Sequence, residues 1–230
     1  MKFDIVIPTY NRPEKLLMCL ESIKKQIKPN YSVYVYFDNN DVAVYEKFKE
    51  VPWITCKLME KKHQAFGIWN YHLKDINSDA MYYVCDDIEF MDGCFAEVER
   101  IFSTVKDYEA LVGLNQVNIT SGEGFSKFAM GCIGFGVMSR FPNRQCFCPD
   151  FFSFHADSEL GQFACKVGMF HYGENAKIHH HHPAVEKKMW DNTHDLVRLG
   201  CVEDRRVYNE RRQKNILWGL TFERVRKDRG

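Results

Sequence analysis

Short apolar runs alternate with amphipathic helical patterns through the first half of the chain. The apolar runs lie at 3–8, 32–37, 53–58 and 80–85, and helical patterns lie between them at 13–23 and 65–76. A strand followed by a helix and another strand gives a parallel strand pair, and repeated units give a parallel sheet with helices on both faces. The sequence therefore predicts an α/β fold with a mostly parallel central sheet.

Local signals support these helices. Pro13 suits the first turn of a helix, where its missing N–H costs nothing, and an apolar face follows at Leu16, Leu17, Leu20 and Ile23. Short strands and loops are expected over 112–156, with turn signals at 121–124 and 142–143. A helix is predicted over 157–167, ended by Gly168, and a terminal helix over 202–225. Because no repeat or linker interrupts the chain, we expect one domain.

Polar segments follow three of the predicted strands. They are the Pro-Thr-Tyr-Asn-Arg segment at 8–12, the Asp-Asn-Asn-Asp segment at 38–41, and Asp86 with Asp87. In sheets of this kind the ligand binds in the crevice beyond the carboxyl ends of the strands. We therefore expect the three segments to meet at one edge of the sheet.

Asp86 and Asp87 directly follow an apolar strand. Two adjacent carboxylates at the end of a buried strand repel each other and are costly to desolvate. A hard cation such as Mg²⁺ or Mn²⁺ offsets that cost and can bridge to substrate phosphates. A solvated turn that contains two acids is the alternative interpretation.

The segment 8–12 lies between a strand and a helix N-terminus, where free backbone N–H groups favour anions. We expect Arg12 to pair with a phosphate and Tyr10 to pack on a base. The alternative is that Thr9 or Asn11 only caps the helix.

Four consecutive histidines occupy positions 179–182 after a predicted strand. Alternation in an extended segment puts His180 and His182 on one face and His179 and His181 on the other. We expect one of these pairs to supply an imidazole to a metal ion. A buried, hydrogen-bonded histidine is the alternative for any one of them.

Composition and charge limit the partners. The 31 basic and 31 acidic residues cancel, so net charge indicates no partner, but 205–230 is locally basic. That basic helix is either solvated or bound to a phosphate-rich partner. Nine cysteines, an odd number in a chain of 230 residues, indicate buried free thiols in a reducing compartment. No leader precedes the first strand and no apolar run approaches about 20 residues, so we expect a cytoplasmic protein.

An ordered set of motifs is similar to a known family. Ile-Val-Ile-Pro-Thr-Tyr-Asn-Arg at 5–12 is followed by Asp38, by Gly67 and Asn70 in a helix, by Asp86 and Asp87, and by Asp-Ser-Glu-Leu at 157–160. This order over residues 3–183 resembles the family 2 glycosyltransferases of the GT-A fold, a Rossmann-like fold. Segments at 157–161, 182–184 and 190–194 also resemble uncharacterised glycosyltransferase-like proteins of bacteria and their phages.

The resemblance implies roles for individual residues. Pro8, Thr9, Tyr10, Asn11 and Arg12 would line the donor pocket with Gly67 and Asn70, and Asp38 would accept from the base, commonly uracil. Asp87 would bind Mn²⁺ or Mg²⁺, Asp86 would lie near the ribose or the metal, and His180 or His182 would complete the metal shell. Asp157 would be the general base, although capping alone accounts for an acid at a helix start. The chain departs from the family pattern at Cys85–Ile88, which lacks an acid-any-acid triplet, and at Ala156, where the family has an acid.

The resemblance also implies a division of the domain. Residues 1–110 would form a nucleotide-binding half, 111–195 an acceptor and metal half, and 200–230 a basic C-terminal helix.

The implied function is metal-dependent, inverting transfer of a sugar from a nucleoside diphosphate sugar, most commonly a UDP sugar, to an acceptor hydroxyl. The acceptor would be a glycan or lipid-linked sugar, or else a hydroxymethylated pyrimidine in phage DNA, with Arg205, Arg206, Arg211, Arg212 and Lys214 tracking phosphates. A nucleotidyltransferase is one alternative, but 8–12 contains no glycine for a phosphate loop. The other is a catalytically silent domain that only binds nucleotide sugars.

Overall fold

The computed structural model describes residues 1–119, 127–182 and 192–220, with backbone alone for 192–199. Its strands are β1 (Phe3–Thr9), β2 (Tyr31–Phe37), β3 (Ile54–Leu58), β4 (Ala80–Tyr83), β5 (Ile88–Phe90), β6 (Leu111–Gln116), β7 (Gly131–Gly134) and β8 (Phe170–His180). Its α-helices are α1 (Pro13–Lys24), α2 (Val42–Phe48), α3 (Ala65–Lys74), α4 (Cys94–Ser103), α5 (Phe135–Met138), α6 (Ala156–Lys166) and α7 (Asn192–Gln213).

The described strands form one sheet in the order β3-β2-β1-β4-β7-β6-β8-β5. Strands β1 to β4 pair in parallel, as do β6 and β8, whereas β7 and β5 run against their neighbours. Because six strands share a direction, their carboxyl ends lie along one edge. The prediction of an α/β fold with a mostly parallel sheet is confirmed.

Two hydrophobic clusters pack on opposite faces of the sheet. Ile5 and Ile7 of β1 point to one cluster and Val6 points to the other, as alternation along a strand requires. Helices α1, α2 and α4 cover the first face, and α3 and α6 cover the second. The sheet is therefore held between two helical layers.

Helix α1 begins at Pro13, as predicted. Its buried face uses Cys19 with Leu16, Leu20 and Ile23, whereas Leu17 is half exposed. The inclusion of Leu17 in the apolar face is therefore wrong. Residues three and four apart share a helix face, and Cys19 takes the place at the correct spacing.

Helices α2 and α4 and strand β5 are missing from the sequence-based prediction. In α4 the residues Cys94, Phe95, Val98, Ile101 and Phe102 are all buried, at spacings typical of one helix face. Gly93 precedes this helix with φ of 82°, a left-handed conformation that suits glycine. Both signals were readable from the sequence.

The C-terminal helix differs from its prediction. The sequence predicts it over 202–225, whereas it extends over Asn192–Gln213. Residues 221–230 lie outside the described part of the chain, as do the predicted turn at 121–124 and Trp190 of the segment 190–194. Asp204, on this helix, is 1% exposed. Helix α7 therefore packs on the domain. No helix among the described residues is long and apolar enough to cross a membrane.

Candidate active site

The carboxyl ends of β1, β2, β4 and β8 bring the main polar residues together. Thr9 ends β1, Asp38 follows β2, Asp86 and Asp87 follow β4, and His180 ends β8. The Thr9 hydroxyl donates to Asp86 Oδ2 at 2.7 Å, which joins the ends of β1 and β4. The expected meeting of polar segments at this edge is therefore observed.

Arg12 bridges the two adjacent carboxylates. Its Nε donates to Asp86 Oδ2 at 3.2 Å, its Nη2 pairs closely with Asp86 Oδ1, and its Nη1 lies 3.2 Å from Asp87 Oδ2. Asp86 is fully buried and Asp87 is 2% exposed. A solvated turn is therefore excluded, and the guanidinium supplies the positive charge that two desolvated carboxylates require.

The two carboxyl groups differ in basicity. Burial raises the pKa of Asp86 to about 6. The positive charge of Arg12 opposes this rise only in part, and the negative charge of Asp87 adds to it. Burial also acts to raise the pKa of Asp87, but the charges of His180 and Arg12 outweigh it and hold that pKa well below its usual range. Asp87 therefore keeps its charge to a lower pH than Asp86 does.

The two ring nitrogens of His180 have different neighbours, Asp87 on one side and Gln116 on the other. Its Nε2 lies 3.4 Å from Asp87 Oδ1, and its Nδ1 lies 2.8 Å from Gln116 Oε1. Asn118 fixes the backbone of His180 on both sides, because its amide donates to the carbonyl oxygen at 2.8 Å and its Oδ1 accepts from the N–H at 2.9 Å. Sequence reasoning missed Gln116 and Asn118, although they follow the apolar run of β6 as the other site residues follow their strands.

The four histidines alternate as expected. The rings of His179 and His181 lie 4.4 Å apart, and those of His180 and His182 lie 5.3 Å apart. His180 is buried against Asp87. His181 Nε2 lies 3.6 Å from the carboxylate of Glu89, which strand alternation turns away from Asp87.

The other segments near the donor edge have defined contacts. Asn11 adopts a φ of 51°, and its N–H donates to Asp41 Oδ2 at 2.8 Å. Pro8 and Asp38 are buried, and the ring of Tyr10 lies 5.5 Å from Lys62 Nζ. Asp41 was recognised only as part of a polar segment, and the structure shows that it shapes the turn after β1.

Gly67 and Asn70 lie in α3, as expected. Both ends of the buried Asn70 amide bond to the backbone of Phe147, with Nδ2 donating at 2.7 Å and Oδ1 accepting at 3.0 Å. A Cβ on Gly67 would meet His63 at an ordinary 3.4 Å. The described contacts thus tie Asn70 to the fold, and the donor role of both residues stays a prediction.

Asp157 lies in the first turn of α6, on the second face of the sheet. Part of its surface is accessible, and burial raises its pKa to about 6. Its charge is close enough to contribute to the raised pKa values of Tyr83 and Cys85, at the end of β4. Asp157 therefore lies near the carboxyl end of β4, which Asp86 and Asp87 follow.

The donor atoms fit a divalent cation in part. Within the described residues, no group of three or more His, Cys, Asp or Glu side chains is arranged to hold a metal ion. Asp87 Oδ1 and His180 Nε2, however, lie 3.4 Å apart, close to the distance of about 3 Å between neighbouring ligands of one octahedral cation. Two such ligands suit an ion that takes its other oxygens from substrate phosphates and water.

Within the described part of the chain, two of the five basic residues proposed to track phosphates form ion pairs with acids. Arg206 pairs with Glu203 and Glu210, and Arg211 pairs with Glu159 and Asp150. Arg212 lies over the ring of Tyr208. Asp150 and Glu159 lie outside 205–230, so the charge of that segment alone does not include them.

A mostly parallel α/β sheet with helices on both faces defines a Rossmann-like fold, and comparison with known proteins gives the family. The model of glycosyl transferase family 2 matches residues 4–158. The chain therefore belongs to this family. No curated protein is significantly similar to it in sequence.

Solved structures share the fold. A Staphylococcus aureus TarS fragment, residues 1–349, also solved in complex with UDP, is 16% identical with a TM-score of 0.52, covering 70% of this chain and 54% of that one. The Pyrobaculum calidifontis mannosyltransferase PcManGT, in complex with GDP-Man and Mn²⁺, is 14% identical with a TM-score of 0.57, covering 77% and 56%. The chain thus spans about half the length of these proteins, which are GT-A glycosyltransferases.

Proposed function

We propose that this protein is a metal-dependent inverting glycosyltransferase that moves a sugar from a UDP sugar to an acceptor hydroxyl. The observation that carries the proposal is the buried cluster of Arg12, Asp86, Asp87 and His180 at the carboxyl edge of the sheet. A desolvated cluster of this kind is costly to build, and perturbed titratable groups in a cleft are typical of functional sites.

The donor would bind across the ends of β1 and β2. The N-terminus of α1 would offer positive charge to a diphosphate, and Arg12 would do so beside the two acids that it bridges, while Asp38 and Tyr10 would contact the base. The bound UDP of TarS and GDP-Man of PcManGT support a nucleotide sugar as donor. We expect uridine because an acid after the second strand suits the N–H of that base.

Asp87 and His180 would hold Mn²⁺ or Mg²⁺ together with oxygens of the diphosphate. When bound, the cation would neutralise charge on the departing diphosphate. Gln116 would orient His180 from behind, as partners of metal ligands commonly do. His182 lies beyond the end of β8, and we regard it as the secondary candidate ligand.

Asp157 would act as the general base. With a pKa of about 6 it is ionised at neutral pH and more basic than an ordinary aspartate, which suits proton abstraction from a hydroxyl. The acceptor oxygen would attack the anomeric carbon as the bond to the diphosphate breaks, and its proton would pass to Asp157. A single displacement of this kind inverts the anomeric centre.

We propose a glycan or lipid-linked sugar as acceptor in preference to a modified pyrimidine in DNA. Asp150 and Glu159, which lie outside the C-terminal helix, pair with Arg211 and leave the helix less positive than its sequence indicates. All nine cysteines are free, which supports a reducing compartment such as the cytoplasm.

The test is calorimetric titration with UDP, with and without Mn²⁺, followed by turnover with a panel of donor sugars. Asp87→Ala is expected to abolish the metal-dependent part of binding. Asp92→Ala, an exposed acid five residues further on, is the matched control and is expected to bind as the wild type does. Failure to bind UDP, GDP, CDP and dTDP with metal present would refute the proposal, and binding without turnover would favour the silent domain.

A further inference from the structure

The loop before α6 is anchored by one carboxylate of the C-terminal helix. Asp204 accepts hydrogen bonds from three successive backbone N–H groups, those of Phe152, Ser153 and Phe154, each at 2.7 Å. The carboxylate is buried. Hydrogen bonds to an ionised acceptor are about twice as strong as neutral ones, so Asp204 is a strong anchor between this loop and α7.

A second contact holds the residue that enters α6. His155 has a φ of 72°, a conformation that residues with a side chain rarely adopt. Its ring stacks on Tyr208 of α7 with centroids 4.5 Å apart and planes at 10°. Because Tyr208 lies four residues after Asp204, both project from the same face of the helix.

A third contact holds the first turn of α6 itself. Arg211 donates to both carboxylate oxygens of Glu159, at 2.6 and 3.0 Å. Glu159 is 2% exposed and also accepts from the N–H of Trp218 at 3.1 Å. Arg211 lies seven residues after Asp204, so one face of α7 contacts the loop, the residue before α6 and the start of α6.

These contacts hold residues on both sides of Asp157 in the chain, and none of them involves the Asp157 side chain. Asp157 lies between His155 and Glu159, both of which are held by α7, and the match to the glycosyltransferase family ends at residue 158. Helix α7 begins at Asn192 and therefore lies entirely beyond the matched region. The backbone that presents Asp157 is thus fixed by a part of the chain that the family model does not include.

We propose that Asp204 is a positioning residue that fixes the loop before α6 and so aims Asp157 at the acceptor hydroxyl. The inference rests on the proposed function, in which Asp157 is the base. Without the Asp204 anchor the domain would still bind nucleotide, because the proposed donor residues belong to the ends of β1, β2 and β4 and to α3, whereas Asp204 bonds to 152–154. Transfer would fall, because a misplacement of about 1 Å can cost about 100-fold in rate.

The experiment compares wild type, Asp204→Asn and the control Glu203→Gln. Glu203 is exposed on the same helix and pairs with Arg206. Amide hydrogen exchange is measured over 150–158, and kcat is divided by the concentration of sites that bind UDP. In Asp204→Asn we expect exchange at 152–154 to accelerate at least about 10-fold, unchanged UDP affinity, and a fall in kcat per site of about 10- to 100-fold. Glu203→Gln should match the wild type.

The outcomes separate the inference from the proposed function. Unchanged exchange at 152–154 would overturn the inference, and so would faster exchange with an unchanged kcat per site. In both cases the wild type still turns over, so the proposed function stands. A wild type that turns over no donor would refute the proposed function and the positioning role with it. If Asp204→Asn does not fold, Tyr208→Leu is put through the same measurements and decides whether contact with α7 positions Asp157; it removes the stack on His155 together with the contacts that Tyr208 makes with Gln162 and Arg212.

Discussion

Replacing Arg12 with methionine would leave two buried carboxylates without their shared cation. Arg12 contacts both Asp86 and Asp87, and its side chain is 13% exposed. Removing one partner from a buried ion pair costs about 3–5 kcal/mol of unfolding free energy, because the remaining charge is uncompensated. Arg100→Met is the matched control: Arg100 is 62% exposed and pairs with Glu97 of the same helix, so its loss should change the free energy of unfolding very little, because solvent screens an exposed ion pair.

The cost should depend on pH in a defined direction. A carboxyl group with a raised folded-state pKa binds its proton more tightly in the folded state, so stability falls as pH rises between the unfolded and folded pKa values. In the wild type this fall ends near pH 6, the pKa of Asp86. Without Arg12 the pKa of Asp86 rises further, and stability keeps falling above pH 6 by about 1.4 kcal/mol per pH unit. The two stability curves should therefore diverge by up to about 3 kcal/mol between pH 6 and 8.

The assay is urea unfolding of wild type, Arg12→Met, Arg100→Met and the double variant Arg12→Met/Asp86→Asn, at pH 5.5 and pH 8. We expect the double variant to recover much of the stability that Arg12→Met loses at pH 8, because the charge of Asp86 is gone and Asp87 still faces His180. The reasoning is refuted if Arg12→Met costs no more than Arg100→Met at pH 8. It is also refuted if the cost at pH 5.5 equals the cost at pH 8.

Three other predictions test single contacts. Asp157→Asn should lower kcat by about 10²- to 10⁴-fold while UDP affinity is kept. The wild-type rate should fall as pH drops through about 6, because burial raises the pKa of the Asp157 carboxyl and protonation removes the base. A rate that stays constant down to about pH 4.5 would contradict this role. Gln116→Leu should weaken Mn²⁺ binding by about 10- to 100-fold when UDP is present, because His180 loses the group that orients its ring. An unchanged Mn²⁺ affinity would exclude an orienting role for Gln116. Asn70→Leu should lower the free energy of unfolding by about 2–4 kcal/mol, measured with urea, because it leaves the backbone N–H and carbonyl of Phe147 without partners. A loss of UDP affinity with an unchanged free energy of unfolding would instead support a contact between Asn70 and the donor.

The fold and the edge that carries the site were readable from local patterns. Strands β1, β2 and β4 are short apolar runs, and α1 and α3 have apolar faces at helical spacing, so their types follow from periods of two and 3.6 residues. Parallel strands align their carboxyl ends, which places Thr9, Asp86 and Asp87 at one edge without knowledge of any contact. The alternation of the four histidines followed from the same rule.

The sequence could not show which charges meet. Arg12 and Asp86 are 74 residues apart, and Arg211 and Glu159 are 52 apart, so no local period relates them. The C-terminal helix was interpreted as a basic surface because counting charges along the chain ignores acids supplied by other elements. Its docking on α6 is a tertiary contact, in which Arg211 pairs with the buried Glu159.

Local chemistry thus determined the class of fold, the direction of the strands and the edge at which the polar residues emerge. The tertiary structure decided that Arg12 joins the two acids, that Gln116 stands behind His180, and that α7 holds the loop before Asp157. The physical reason is range: the periodicity of a strand or helix is set within a few residues, whereas the pairing and desolvation of charges depend on which distant segments the sheet brings within about 4 Å of one another.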